Sequence, residues 1–339
     1  MTEIALNSMR TLYGWSMPLF KNFNIGIPKM NTKIILNSFG IPAIGILIFL
    51  MFWSALAPKI ETSLGAIPGP MQVWEKFDTL IDEHYEERDK ELAFYERQEI
   101  RNAKKLAKNP DAVIKVRPYT GKPTFFDQIW TSLYTVLTGF ILASLIAIPI
   151  GIVSGLNKTI YAGLNPIIQI FKPVSPLAWL PIVTIVVSAL YVSDDPMFEK
   201  SFVTSMITVM LCCLWPTLIN TAVGVASISQ DMKNVSKVLR LSYFTHVIKI
   251  VLPSSIPMMF TGLRLSLGIA WMVLIAAEML AQNPGLGKFV WDEFQNGSSN
   301  SLGRIMVAVI VIGLIGFALD RIMLSLQKWV SWDKNAEIR

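Results

Sequence analysis

Ile129-Trp-Thr-Ser-Leu-Tyr-Thr-Val-Leu-Thr-Gly-Phe-Ile-Leu-Ala-Ser-Leu-Ile-Ala-Ile-Pro-Ile-Gly-Ile-Val-Ser-Gly-Leu156 contains no charged residue. As an α-helix rising about 1.5 Å per residue, it is longer than the roughly 30 Å hydrocarbon core of a bilayer. Gly139 and Pro149 interrupt it, which argues against a soluble helix. A membrane tolerates both, because neighbouring helices re-satisfy the backbone. Working outward, further apolar runs lie at 35–57, 174–192, 202–225, 258–280 and 305–326. The chain therefore reads as an all-α integral membrane protein with about six transmembrane helices.

Composition agrees. Hydrophobic residues make up 53% of the 339 and charged ones 16%, against about 25% charged in soluble chains, and the mean hydropathy is +0.48. Ten Trp and eight Tyr suit two membrane–water boundaries, although aromatic rings also fill ordinary cores. Cys212 and Cys213 are the only cysteines, adjacent in an apolar run, and read as small buried hydrophobes. The net charge of +6 comes from basic residues at the ends of apolar runs, not from a basic face interleaved with aromatics, so nucleic acid is not an expected partner. His84 and His246 lie far from any cysteine, so no metal site or catalytic triad is expected. Neither Gly121-Lys-Pro123 nor Gly285-Leu-Gly-Lys288 has the Gly-x4-Gly-Lys-Ser/Thr spacing that cradles phosphate. Any nucleotide hydrolysis belongs to another chain.

Cytoplasmic loops carry the excess of Lys and Arg. The loop at 226–250 has Lys233, Lys237, Arg240 and Lys249 against Asp231, while 193–201 has Asp194, Asp195 and Glu199 against Lys200. The first loop is then inside, and six spans put both termini in the cytoplasm. The N-terminal segment at 1–34, with Arg10, Lys21, Lys29 and Lys33, lacks a small-residue cleavage site and reads as part of an uncleaved anchor; residues 327–339 read as a tail. Residues 58–128 form a hydrophilic insert, placed outside by topology alone. Its charges, including the pair Glu86 and Lys90 and the stretch Glu86–Glu91 with no apolar partner face, predict a solvated helical hairpin turning at Asn109-Pro-Asp111. A docking surface for a partner is the alternative. Pro173, Pro176 and Pro181 predict a bent start to the 174–192 span.

One loop is specific. Asn234-Val-Ser-Lys-Val-Leu-Arg-Leu-Ser-Tyr-Phe-Thr-His-Val-Ile-Lys-Ile-Val-Leu-Pro253 resembles the EAA coupling motif of ABC importer permeases, with Arg240 where most of them have a turn glycine. Pro173-Val-Ser-Pro-Leu-Ala-Trp-Leu-Pro181, Trp215-Pro-Thr-Leu-Ile-Asn-Thr-Ala-Val-Gly224, Thr261-Gly-Leu-Arg264 and Ala276-Ala-Glu278 with Gly285-Leu-Gly287 resemble the nitrate/sulfonate/bicarbonate permease family, nearest its nitrate branch. The resemblance covers roughly residues 125–328. It implies a type I ABC importer transmembrane domain over 129–326, docked on ATPase subunits that bind ATP and Mg, served by a periplasmic or lipid-anchored substrate-binding protein, and paired with a second permease copy in the inner membrane. It implies Val235, Ser236, Lys237, Leu239, Arg240, Ser242 and Pro253 as the ATPase-coupling residues. Nitrate is the first expected solute, with bicarbonate, cyanate or a sulfonate behind it. A secondary transporter or a non-transporting assembly protein is the rival reading, the former disfavoured by the absence of an inverted repeat.

The residues can also be read by themselves. A helix over Val235–Ser242 of small, apolar and basic residues offers a ridge to a groove on a soluble partner, or lies on the membrane surface. Lys172, Arg264 and Glu278 are costly in hydrocarbon and must face the bundle interior or water. Arg264 and Glu278 are fourteen positions apart. They share a face within about 40° but are separated by about 21 Å, so they cannot pair with each other. Each either lines a path or locks helices through a partner elsewhere.

Overall fold

Apolar runs that cannot leave peptide groups unpaired in hydrocarbon form helices. The computed structural model contains little else in the residues it describes, 40–62, 65–109, 114, 116–192, 197–298 and 300–330. The segment 1–34 with Arg10, Lys21, Lys29 and Lys33, the acids Asp194 and Asp195, the turn residues Pro110 and Asp111, and the tail from 331 with Lys334 and Arg339 lie outside the described residues. Five helices are long and apolar enough to cross a membrane, or six if one bent pair counts as a span.

The chain divides into two units, Met1–Ala55 and Leu56–Arg339. The first contains nearly all of α1 (Ile41–Leu56), an uncharged apolar helix. The second begins with a 3-10 turn (Ala57–Lys59) and a two-stranded antiparallel ribbon, β1 (Glu61–Thr62) and β2 (Gly65–Ala66), with Gly65 at φ +109°. The helices α2 (Pro70–Lys108), α3 (Phe125–Leu156), α4 (Lys158–Phe171), α5 (Pro176–Leu190) and α6 (Lys200–Ala226) follow. Then come α7 (Gln230–Val238), α8 (Tyr243–His246), a π-helical turn (Val247–Val251), α9 (Leu252–Ala281), α10 (Leu286–Asn296) and α11 (Ser301–Val330).

Helix α6 is the centre. It is buried on several sides, through Thr208, Val209, Cys213, Thr217 and Val225 among others. Between apolar helices in lipid, association depends on close van der Waals approach and cross-helix hydrogen bonds. Both are present. A Cβ on Gly151 of α3 would lie 2.9 Å from the Leu218 carbonyl oxygen and 2.7 Å from the Thr221 Cβ, and one on Gly262 of α9 would lie 2.9 Å from the Pro216 carbonyl oxygen. Pro216 disturbs the α6 ladder, and the Thr217 N–H donates to Ser266 Oγ of α9 at 3.1 Å, with the Thr217 hydroxyl donating to the same oxygen at 2.8 Å.

Between α3 and α6 the chain differs from expectation. The 174–192 run is preceded by a separate amphipathic helix, α4, capped by the Asn157 side chain accepting from the Thr159 and Ile160 amides. The corner between α4 and α5 is 99°, set by Pro173 and Pro176, which cannot continue a helix across the junction.

The insert also differs: it is no helical hairpin. Helix α2 runs unbroken for 39 residues, because no Gly or Pro interrupts it between Met71 and Lys108, and the chain returns without helix over 116–124. The return lies along the helix. Arg117 N–H donates to Gln98 Oε1 at 2.8 Å and Tyr119 N–H to the Tyr95 hydroxyl at 3.1 Å. The Tyr119 hydroxyl donates to Glu87 at 2.7 Å, holding the Glu87 carboxyl below its ordinary range and the Tyr119 hydroxyl above its own. An inner face exists after all. Val73 and Leu80 are buried, Phe77 and His84 pack on Phe126, Arg88 donates to Asp127 at 2.9 Å, and Lys76 donates to Asn300 at 2.8 Å.

Gly151→Val forces side-chain bulk against the α6 backbone, an overpacking that costs about 1–3 kcal/mol. The thermal midpoint of the purified protein in detergent should fall, and Gly163→Ala, where nothing lies within 4 Å, should leave it nearly unchanged.

Candidate coupling turn and intramembrane charges

Helix α7 starts at Ser229, whose side chain accepts from the Met232 amide, and stops at Val238. Its end is a Schellman turn: the Arg240 N–H donates to the Lys237 carbonyl at 3.1 Å and the Leu241 N–H to the Ser236 carbonyl at 3.1 Å. Arg240 sits in the left-handed region at φ 46°, where a non-glycine residue costs about 1–2 kcal/mol. The helix expected over Val235–Ser242 is therefore broken, and Ser242 instead caps α8 by accepting from the Thr245 amide. Pro253 stands in the first turn of α9.

Among the expected coupling residues, Ser236 faces inward at 8% exposure. Val235, Lys237, Leu239 and Arg240 are exposed. Two residues that sequence reasoning missed complete the patch, Met232 and Val238, the latter 81% exposed. Their signal was amphipathic spacing: 232, 235, 238 and 239 recur at three- and four-residue steps. The roots of the loop are held together, since Val225 and Ile228 pack with Val251 against Ile152 and Leu156. Between α7 and α9 stands the π-helical turn, a local irregularity frequent at functional sites.

Glu278 is fully buried in α9. Gln282, left-handed at φ 57°, turns the chain back on itself. The start of α10 thereby reaches the carboxylate. The Gly287 N–H donates to Glu278 at 3.0 Å, Ser132 Oγ of α3 donates at 2.8–2.9 Å, and Asn283 Nδ2 lies at 3.5 Å. Leu286 N–H donates in turn to Ser132 Oγ at 2.8 Å. A Cβ on Gly285 or Gly287 would collide with Glu278 or the Ile275 carbonyl, which explains the Gly-Leu-Gly spacing. The knot joins α3, α9 and α10.

Arg264 also has a partner elsewhere. Its guanidinium donates through Nε and Nη2 to Asp320 of α11, at 2.5 and 2.9 Å. This clamp ties α9 to α11 beside a groove lined by Thr261, Gly268, Met272 and Gln327. Asp320 was missed; a lone acid in the 305–326 run was the available signal. Lys172 stands exposed at the α4–α5 corner, where Phe171 stacks on Trp179 and Trp215. The structure thus separates the three intramembrane charges, each at a different helix junction.

Residues 147–332 match the family model described as "Binding-protein-dependent transport system inner membrane component". The chain belongs to that family. It is 34% identical over 306 residues, 90% of its own length and 93% of the relative's, to the bicarbonate transport system permease protein CmpB of Synechococcus elongatus. It is 37% identical over 224 residues, 63% of this chain and 76% of the relative, to the nitrate import permease protein NrtB of the same organism. A chain of the MetNI methionine ABC transporter superposes with a TM-score of 0.48 at 16% identity, covering 59% of this chain and 94% of that one, a likeness too distant to carry a conclusion. The protein is an inner-membrane ABC permease of the nitrate/bicarbonate type, a transport component, and not a secondary transporter or an assembly protein.

In the permease, Arg264→Ala or Asp320→Ala removes the ion pair between α9 and α11. Each should lower the thermal midpoint. The double variant should lose less than the sum of the two, by about 0.5–3 kcal/mol; strict additivity would show that the pair contributes no coupling.

Proposed function

We propose that two copies of this permease enclose the transmembrane path of an ATP-driven importer for nitrate or bicarbonate. ATPase subunits that bind ATP and Mg grip the α7 turn, and a solute-binding protein delivers the anion from the other side. The observation that carries the reading is the turn itself. A short helix ends in a fixed Schellman geometry and exposes Met232, Val235, Val238 and Leu239 beside Lys237 and Arg240. An apolar ridge with a basic rim fits a groove on a soluble protein. Its roots are packed against α3 and α6, so movement of the ridge is passed to the spans and biases the path between inward and outward openings.

Sidedness follows from charge. Lys233, Lys237, Arg240 and Lys249 against Asp231 favour the cytoplasm for this loop, which puts both termini inside and α2 in the periplasm. One set of about six spans gives half of a two-walled path, so a second copy related by a two-fold axis is the simplest completion. The solute class rests on likeness to the bicarbonate permease along 90% of the chain and to the nitrate permease along 63%. Both solutes are small planar oxyanions.

Cysteine introduced as Val238→Cys should crosslink to the ATPase subunit in the assembled complex and react only with reagents that reach the cytoplasm. Reaction from outside alone would invert the topology. Arg240→Gly relieves the left-handed backbone while deleting the charge, so weaker ATPase docking in that variant would report the guanidinium and not the turn.

In proteoliposomes loaded with ATP and ATPase subunits, labelled nitrate and labelled bicarbonate should be compared in the presence of the solute-binding protein. ATP-dependent uptake of one of them is expected. Uptake of neither, or a complex with one permease per two ATPase subunits, would contradict the reading.

A further inference from the structure

Helix α2 carries two apolar faces, and the permease uses one. At about 100° per residue, Val73, Leu80 and His84 fall on the side packed against the ends of the bundle. Trp74, Tyr85 and Leu92 fall about 105° away, and they are 66%, 65% and 67% exposed. Large side chains recurring on one exposed stripe of an otherwise charged helix mark an interaction surface. Acids are interleaved with them. Asp78, Asp82 and Asp89 lie within the same sector of about 80°, and none of the three joins an ion pair among the described residues. The acids of the inner side, by contrast, are engaged: Glu83 accepts from Arg304, Glu87 from Tyr119, and Glu91 from Arg88.

We propose that this outer stripe of α2 is the docking surface for the solute-binding protein, which meets it with lysines or arginines around an apolar patch. The proposal rests on the importer reading above, and the family itself is binding-protein-dependent. Charge selects the occupant. Anionic lipid headgroups are repelled by three aspartates. A second copy of α2 in an isologous contact would set acid against acid. A basic soluble partner gains both burial of the Trp74, Tyr85 and Leu92 side chains and steering by the acids. Trp74 to Leu92 spans about 27 Å along the helix, the scale of one protein footprint. The platform is fixed, because Arg304 of α11 bridges Glu83 of α2 and Glu293 of α10, and Arg88 ties α2 to the N-terminal cap of α3 through Asp127. Load on α2 therefore reaches three helices of the bundle.

The test uses the whole permease–ATPase complex in nanodiscs, titrated with the purified solute-binding protein of the same transport system while ATP hydrolysis is followed. The joint reversal Asp78→Lys, Asp82→Lys and Asp89→Lys should raise the concentration for half-maximal stimulation on the order of tenfold and abolish its weakening by added salt. Trp74→Ala with Tyr85→Ala and Leu92→Ala should raise that concentration while keeping the salt dependence. Co-purification of the ATPase subunits reports folding; if the reversal fails to assemble, Asp78→Asn with Asp82→Asn and Asp89→Asn is read, with about a threefold rise expected. Unchanged half-maximal concentrations in both sets overturn the proposal. Disulfides between the Trp74→Cys residues of two copies overturn it in favour of a second copy. A wild-type complex that hydrolyses ATP but ignores the solute-binding protein removes the importer reading, and the docking proposal with it.

Discussion

Inside hydrocarbon, lipid tails are as apolar as leucine, and the bundle stands on how closely other backbones approach α6. Gly151 and Gly155 of α3 and Gly262 of α9 bring their helices against the carbonyl oxygens of α6, and Gly224 of α6 returns the contact toward Ser255 and Met258. The polar atoms buried there are small, and the Thr217 amide and hydroxyl are satisfied across the seam by Ser266. Proline within α6 is tolerated for the same reason: the neighbouring helix supplies an acceptor next to the disturbed ladder.

Charge fastens what close packing cannot. Three fasteners join the helices: Glu278 between α3, α9 and α10, Arg264 with Asp320 between α9 and α11, and Arg304 between α2, α10 and α11. A carboxylate without partners would be expensive at the depth of Glu278, yet here a serine hydroxyl and a backbone amide are aimed at it. Through Arg304, α2 is tied to α10 and α11. The helices are irregular at two places outside these fasteners, the 99° corner between α4 and α5 and the π-helical turn before α9.

The turn after α7 combines a strained residue with a packed base. Arg240 occupies the position that a glycine fills in most ABC importer permeases, and the Schellman bonds hold it at φ 46°. A backbone over-determined in this way keeps one geometry despite the strain.

The membrane class and the positions of the apolar runs were written in the sequence, because hydrocarbon imposes a length and an absence of charge that need no partner to be read. The family was written there as well, in several motifs kept in one order. Tertiary structure decided which charges meet. Ser132 and Glu278 are 146 positions apart and Arg264 and Asp320 are 56 apart, and no local periodicity announces either pair. It also decided that Ser236 turns inward and that the insert is one long helix, since a solvated hairpin and a single helix with a non-helical return satisfy the same charge pattern. Only the neighbouring ends of α3 and α11, with Asp127, Asn300 and Arg304 waiting for partners, favour the second.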